Sequence, residues 1–206
     1  MISHLKMHAI FNRSKAFVII KCKGLWLFFR ELFSNPMVMG AAFPSSKRLA
    51  CAMARQVPLQ SLGTVVELGP GTGVVTQALL EHGVNIKKLV AIEQSNAFVK
   101  HLMRRFSQLR VIEGDAQNLI GLLADCSDIN VIVSSLPLRS LPENMVKNIL
   151  AAIDKALPES GLFIQFTYYY GKTALPLPQT FQRIYSEYVL LNFPPARVDV
   201  FVKQVS

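Results

Sequence analysis

The chain of 206 residues is 51% hydrophobic, which suits one α/β domain with a sizeable core and leaves little room for a second. Lys and Arg outnumber Asp and Glu by 22 to 13, and the net charge of +9 points to an anionic partner, nucleic acid or the headgroups of a membrane surface. The three cysteines, Cys22, Cys51 and Cys126, are far apart and lack C-x-x-C spacing, so neither a disulfide framework nor a metal site is expected, and a reducing compartment is.

The first thirty residues contain no Asp or Glu. They carry Lys15, Lys21, Lys23 and Arg30 interleaved with Phe17, Trp26, Phe28 and Phe29. At about 100° per residue, Phe17, Val18, Cys22, Leu25, Trp26, Phe29, Leu32 and Phe33 share one arc, Lys23 and Arg30 lie opposite, and Lys21 interrupts the apolar face. Uncharged runs here fall far short of the ~20 residues of a membrane span, and lysines within the apolar run argue against a cleaved signal peptide. Residues 1–36 are therefore expected to form a basic amphipathic helix that lies in a membrane interface. The competing reading packs the same helix on the domain that follows.

Asn35-Pro36 should end that helix, and residues 37–206 form the domain. Residues 37–47 read as a loop, with Ser45 or Ser46 capping a helix through Arg55 and the loop itself serving as a lid. The rest is organised around Val65-Val66-Glu67-Leu68-Gly69-Pro70-Gly71-Thr72-Gly73. Residues 65–68 read as a buried strand and 74–80 as a helix, so the glycines form a strand-to-helix turn against which a ligand can lie. A dinucleotide fingerprint would put its third glycine at Val74, so pyrophosphate is the poorer ligand. Glu67 favours a cationic group, such as an amino-acid moiety or a sulfonium.

A second strand over 88–93 ends in Glu93, at the spacing where a carboxylate meets ribose hydroxyls. A third over 109–113 leads into Gly114-Asp115-Ala116, and a helix follows to about Leu123. Residues 129–135 form a fourth, buried strand running into Leu136-Pro137-Leu138-Arg139. A helix over 143–157, a fifth strand over 161–168 and a terminal strand pair over 183–192 and 198–205 complete the pattern.

The glycine turn with Glu67, together with Glu93 and Gly114-Asp115-Ala116, resembles the motifs of class I S-adenosylmethionine-dependent methyltransferases. The resemblance implies a Rossmann-like α/β fold with a seven-stranded, mainly parallel sheet closed by an antiparallel hairpin. It implies that Gly69, Gly71 and Gly73 flank the methionine moiety, that Glu93 binds the ribose and that Asp115 contacts the adenine amino group, with Glu67, Gln94, Ala116 and Ser134 also at the cofactor. S-adenosylhomocysteine would be the product.

Methyl transfer is an in-line displacement that needs an uncharged nucleophile, positioning and exclusion of water. RNA adenine dimethyltransferases carry Asn-Leu-Pro-aromatic after the fourth strand. Here the aligned residues are Ser135-Leu136-Pro137-Leu138, without the amide or the stacking ring. Pro44-Ser45-Ser46, Ser134-Ser135-Leu136-Pro137-Leu138, Gln165-Phe166-Thr167-Tyr168 and Asn192-Phe193-Pro194-Pro195-Ala196-Arg197 are instead similar to bacterial phospholipid N-methyltransferases of the soluble, single-domain type. That likeness implies stepwise methylation of phosphatidylethanolamine to phosphatidylcholine by a monomeric, cytoplasmic enzyme bound peripherally to the anionic inner membrane, with no nucleic-acid partner. RNA adenine dimethylation is the alternative.

Tyr168, Tyr169 and Tyr170 follow the fifth strand and offer π faces to an amine becoming quaternary, Tyr168 first among them. His4, His8, His82 and His101 all lie outside the fourth-strand and C-terminal loops, so a histidine base is not expected. The Ser135 hydroxyl and main-chain carbonyls near Leu136 are candidates to orient the amine while water takes the proton. Ser45, Lys47 and Arg197 are candidates for the lipid headgroup, and Arg139 stands on the same footing.

Overall fold

The computed structural model describes residues 44–60, 63–168, 175–192 and 195–205. The basic N-terminal positions Lys15, Lys21, Lys23, Trp26, Phe29 and Arg30 lie outside the described residues, as does Tyr169. Seven strands form one sheet in the order β3-β2-β1-β4-β5-β7-β6. They are β1 (Thr64–Leu68), β2 (Leu89–Glu93), β3 (Arg110–Glu113), β4 (Ile129–Ser134), β5 (Leu162–Tyr168), β6 (Phe181–Val189) and β7 (Ala196–Lys203). β1 to β5 are parallel, and β7 runs antiparallel to both β5 and β6. This is the Rossmann-like sheet with a closing hairpin that the motifs imply.

Parallel strands in the middle of such a sheet are covered on both faces, which is why their sequences are continuous apolar runs. The helices α1 (Pro44–Ala54), α2 (Val74–His82) and α3 (Asn96–Arg105) cover one face. Leu49, Met53, Leu79, Leu102 and Phe106 pack there on Val65, Ala91, Val133, Ile164 and Val198. The short α4 (Leu119–Leu122) and the longer α5 (Glu143–Ala156) cover the other. On that side Leu119, Val146, Ile149 and Ile153 meet Val66, Ile92, Ile132, Phe163 and Phe201. Alternation along each strand divides its side chains between these two cores.

The predicted strands lie within a few residues of their observed ends. The stretch after Asp115 differs more: a 3-10 turn (Ala116–Asn118) precedes the one-turn α4, because the Asp115 carboxylate accepts the Gln117 N–H at 2.9 Å and tightens the backbone. At β5 the register pairs Ser134 with Gln165 and Tyr168 with Ala196. The β5–β7–β6 portion thus continues three residues past the end of β4, roughly 10 Å at the strand rise.

Candidate active site

Ladder bonds run to the carboxyl edge of the parallel strands and fix the first loop residues. Gly69 N–H donates to Ile92 at 2.9 Å, Gly114 N–H to Glu93 at 3.0 Å and Ser135 N–H to Leu68 at 2.8 Å, each to a backbone carbonyl. Three glycines then turn the chain from β1 into α2 with φ of 67° at Gly69, 56° at Gly71 and 80° at Gly73. Left-handed backbone alone favours glycine there, and space adds to it. A Cβ on Gly69 would stand 2.4 Å from Leu136 Cδ2, and one on Gly73 would stand 2.6 Å from Phe106 Cε2. The glycine turn and the loop after β4 are therefore packed directly on each other.

The carboxylates take distinct places. Glu93 Oε2 accepts the Gly71 N–H at 3.0 Å and Oε1 accepts the Ser95 N–H at 2.9 Å. About four acceptor positions on a carboxylate leave two for hydroxyls of a ligand. Asp115 is partly buried and accepts from the Gln117 N–H and, at 3.0 Å, from its side-chain amide. Asn148 on α5 in turn donates to Gln117 Oε1 at 3.0 Å, tying this corner to the helix layer. Gln94 is exposed beside Glu93, and Ala116 packs on the α5-side core.

Glu67 is fully buried. Its Oε2 accepts the Thr76 hydroxyl at 2.6 Å, and its Oε1 accepts the Ser135 hydroxyl at 3.4 Å. Burial pushes its carboxyl up to about 7, a rise only partly offset by those two hydroxyls and reinforced by the charge of Glu93. Glu67 is thus sealed from solvent and tied to the loop after β4 through Ser135. A cationic ligand group above it would restore the charged form.

Ser134 is buried, with its hydroxyl accepting the Leu136 N–H at 3.4 Å. The Leu136 carbonyl accepts the Leu138 N–H at 2.9 Å and the Gln165 side-chain amide at 3.0 Å. That carbonyl is thus engaged twice, whereas the Ser135 hydroxyl, a donor to Glu67, keeps acceptor capacity for an amine. Leu138 is buried in the α5-side core and offers no stacking surface.

The substrate candidates do not share one face. Tyr168 turns toward the α1 side, edge-on to Phe166 with ring centroids 5.0 Å apart, and burial pushes its phenol up to about 12. Arg197 turns to the opposite face, where its Nε and Nη2 hold Asp199 Oδ2 at 2.9 and 2.8 Å. Lys47 is exposed on α1, and the side chain of Ser45 at the start of that helix lies outside the described residues. Gln165, Thr76 and Asp199 were not singled out as functional by sequence. Gln165 and Asp199 are buried polar residues flanked by apolar neighbours in strands, which is the signal that marks them, whereas Thr76 stands next to Gln77 in α2 and carries no such signal.

Comparison with known proteins follows the same geometry. Residues 65–161 match the family described as Methyltransferase domain. The chain carries a class I S-adenosylmethionine-dependent methyltransferase domain. An ornithine lipid N-methyltransferase of Singulisphaera acidiphila is 27% identical over 81% of this chain and 85% of its own length. A ribosomal RNA small subunit methyltransferase of Arabidopsis thaliana is 30% identical, but over 50% of this chain and only 31% of its own. The N-methyltransferase NodS of Bradyrhizobium japonicum, solved with S-adenosylhomocysteine, superposes with a TM-score of 0.62 at 14% identity, covering 82% of this chain and 92% of its own.

The donor set of this methyltransferase fits S-adenosylmethionine. Glu93 keeps acceptor capacity for two hydroxyls such as those of a ribose, and Asp115 and Glu67 are the carboxylates that would meet the adenine and the amino or sulfonium charge. Gly73 gives the N-terminus of α2 no side-chain cap, and Glu67 accepts there from the Thr76 backbone N–H as well as from its hydroxyl. Bound there, the cofactor supplies an electrophilic methyl group. Everything else in the reaction falls to residues of the chain.

Proposed function

We propose that this methyltransferase N-methylates the primary amine of a membrane-lipid headgroup, phosphatidylethanolamine, through mono- and dimethyl forms to phosphatidylcholine. The loop after β4 carries the proposal. Ser135 donates a hydrogen bond to Glu67, which leaves its oxygen with lone pairs to accept from an amine N–H. The chain has neither an amide at that position nor a ring at Leu138, and a flipped base would find no stacking partner there. A lipid N-methyltransferase as a relative along most of the chain supports the same reading, whereas the RNA methyltransferase relative covers half.

The amine attacks in its neutral form, held by Ser135 while it still bears an N–H, and the proton that each ammonium must lose before it attacks goes to water. Tyr168 stays neutral across the working range and offers its ring to the ammonium that accumulates. Among the described residues no helix is long and apolar enough to cross a membrane, and no group of side chains could hold a metal. The proposed location is the cytoplasmic face of the inner membrane, reached peripherally by a monomer, with the basic segment 1–36 as one anchor.

The test supplies methyl-labelled cofactor with phosphatidylethanolamine vesicles, vesicles containing an ornithine lipid, or ribosomal RNA. Label in the extracted phosphatidylethanolamine is expected. Label confined to the ornithine lipid moves the substrate to another lipid amine, and label in RNA alone refutes the proposal.

A further inference from the structure

We infer that the turn between β6 and β7 is a membrane-insertion element, with Leu190 and Leu191 entering the interface of an anionic bilayer so that the carboxyl edge of the sheet sits on the lipid. This rests on the lipid reading above but names a surface which that reading does not require. Leu190 and Leu191 are 71% and 73% exposed. Two adjacent aliphatic side chains at the tip of a hairpin cost water contact that packing elsewhere in the fold does not repay. Phe193 and Pro194 follow them in sequence, and Tyr188, 54% exposed, lies just before them.

Position selects the occupant. The register Val189 with Ala196 and Ala196 with Tyr168 places the turn beside the end of β5, on the same edge as Ser135 and the glycine turn. The β5–β7–β6 portion overshoots that edge by roughly 10 Å, close to the ~5–10 Å by which interfacial elements enter the headgroup and acyl boundary. A tip embedded to that depth would bring headgroups level with the loop after β4.

Charge selects it too. Residues 188–198 contain no Asp or Glu. The acids that bracket them are each paired with an arginine: Glu187 with Arg55 at 2.9 Å and Asp199 with Arg197 at 2.8 Å. No uncompensated carboxylate therefore stands at the tip to repel anionic lipid in a chain of net charge +9.

The chain has one tryptophan, Trp26, which makes a clean optical test possible. Leu191→Trp is placed in a Trp26→Phe background and the full chain is titrated with phosphatidylethanolamine–phosphatidylglycerol vesicles, with and without brominated acyl chains. The expected result is solvent-like emission in buffer, then a blue shift on vesicles and quenching by the brominated chains. Emission that stays solvent-like on vesicles with which the protein sediments overturns the inference. Emission already blue-shifted in buffer also overturns it, since the N-terminal segment or a second copy then covers the tip.

The double variant Leu190→Ser, Leu191→Ser should bind vesicles roughly tenfold or more weakly while its melting temperature and cofactor affinity stay unchanged. Undiminished vesicle binding would again refute the inference. Insertion of the indole in the Leu191→Trp variant, without label reaching lipid, would sink the substrate proposal alone. Label in lipid without insertion would sink this inference alone.

Discussion

The two halves of the sheet meet the loop edge differently. Around β1 and β2 the ladder bonds reach the edge, and Glu93 and Asp115 are held by backbone N–H groups with acceptor capacity to spare. Around β5, β7 and β6 the charged groups are spent on one another, although a buried amide oxygen, Gln165 Oε1, has no partner. Asp199 takes Ser186 at 2.5 Å and Arg197 at 2.9 Å, while Gln165 takes the Leu136 carbonyl. Carboxylates with lone pairs in reserve mark a ligand site, and saturated ones mark a scaffold. The β1–β2 half thus has the form of a cradle that suits the proposed cofactor placement, and the other half is a projecting platform whose outer side chains remain exposed.

Breaking one carboxylate contact on each side tests that division. Glu93→Ala removes the acceptor of the Gly71 and Ser95 N–H groups and, on the proposed placement of the cofactor, of the ribose. Cofactor affinity should fall by about 100-fold or more in calorimetry, the scale of charge-assisted hydrogen bonds. Arg197→Ala should do the reverse. Asp199 is buried and would keep only Ser186 and the more distant Arg183 at 3.8 Å, so unfolding in urea should lose on the order of 3 kcal/mol while cofactor affinity stays within about twofold. Equal cofactor losses in both variants would erase the distinction between cradle and platform.

Glu67 sharpens it through pH. Its carboxyl lies at about 7 in the folded chain against 4.5 as the ordinary value, because burial disfavours the charge. The folded state therefore holds this proton more tightly than the unfolded state. The cost to stability is absent below pH 4.5, grows through the window up to about 7 and is constant above it. Glu67→Gln removes that dependence. Relative to wild type it should gain on the order of 3 kcal/mol between pH 4.5 and pH 8 in urea unfolding, and lose cofactor affinity at both. A stability difference that is flat with pH would show that Glu67 does not titrate in this window.

What the sequence disclosed follows the same line. Apolar runs ending in acids and glycines locate β1, β2 and β3 with their loops, because those features are local. α3 is absent from the predicted elements, as its buried face rests on only Phe98, Val99 and Leu102 among charged residues. The platform was least legible. Ser186 lies opposite Asp199 only because a bulge between Arg183 and Tyr185 shifts the register; without it Tyr185 would stand there. Arg197 reads from sequence as a free cation for a headgroup, and only the fold reveals Asp199 beneath it. Thr76 and Ser135 likewise meet on Glu67 only after α2 and β4 are placed.

The smallest expected effect lies where the halves touch, at Tyr168. Its ring is on the α1 side, held edge-on by Phe166, while the hydroxyl remains protonated through the working range. If the ring serves an ammonium, the face matters more than the oxygen. Tyr168→Phe should keep KM for the lipid within about threefold, whereas Tyr168→Leu should raise it by roughly 2- to 30-fold, matching about 0.5–2 kcal/mol of cation–π attraction. The loss should be larger for dimethylated than for unmethylated headgroups, since only the former approaches a permanent charge. Equal losses for both variants would move the role to the hydroxyl and its hydrogen bond. No loss in either would leave Tyr168 as a core residue sealing the end of β5 against Ala196.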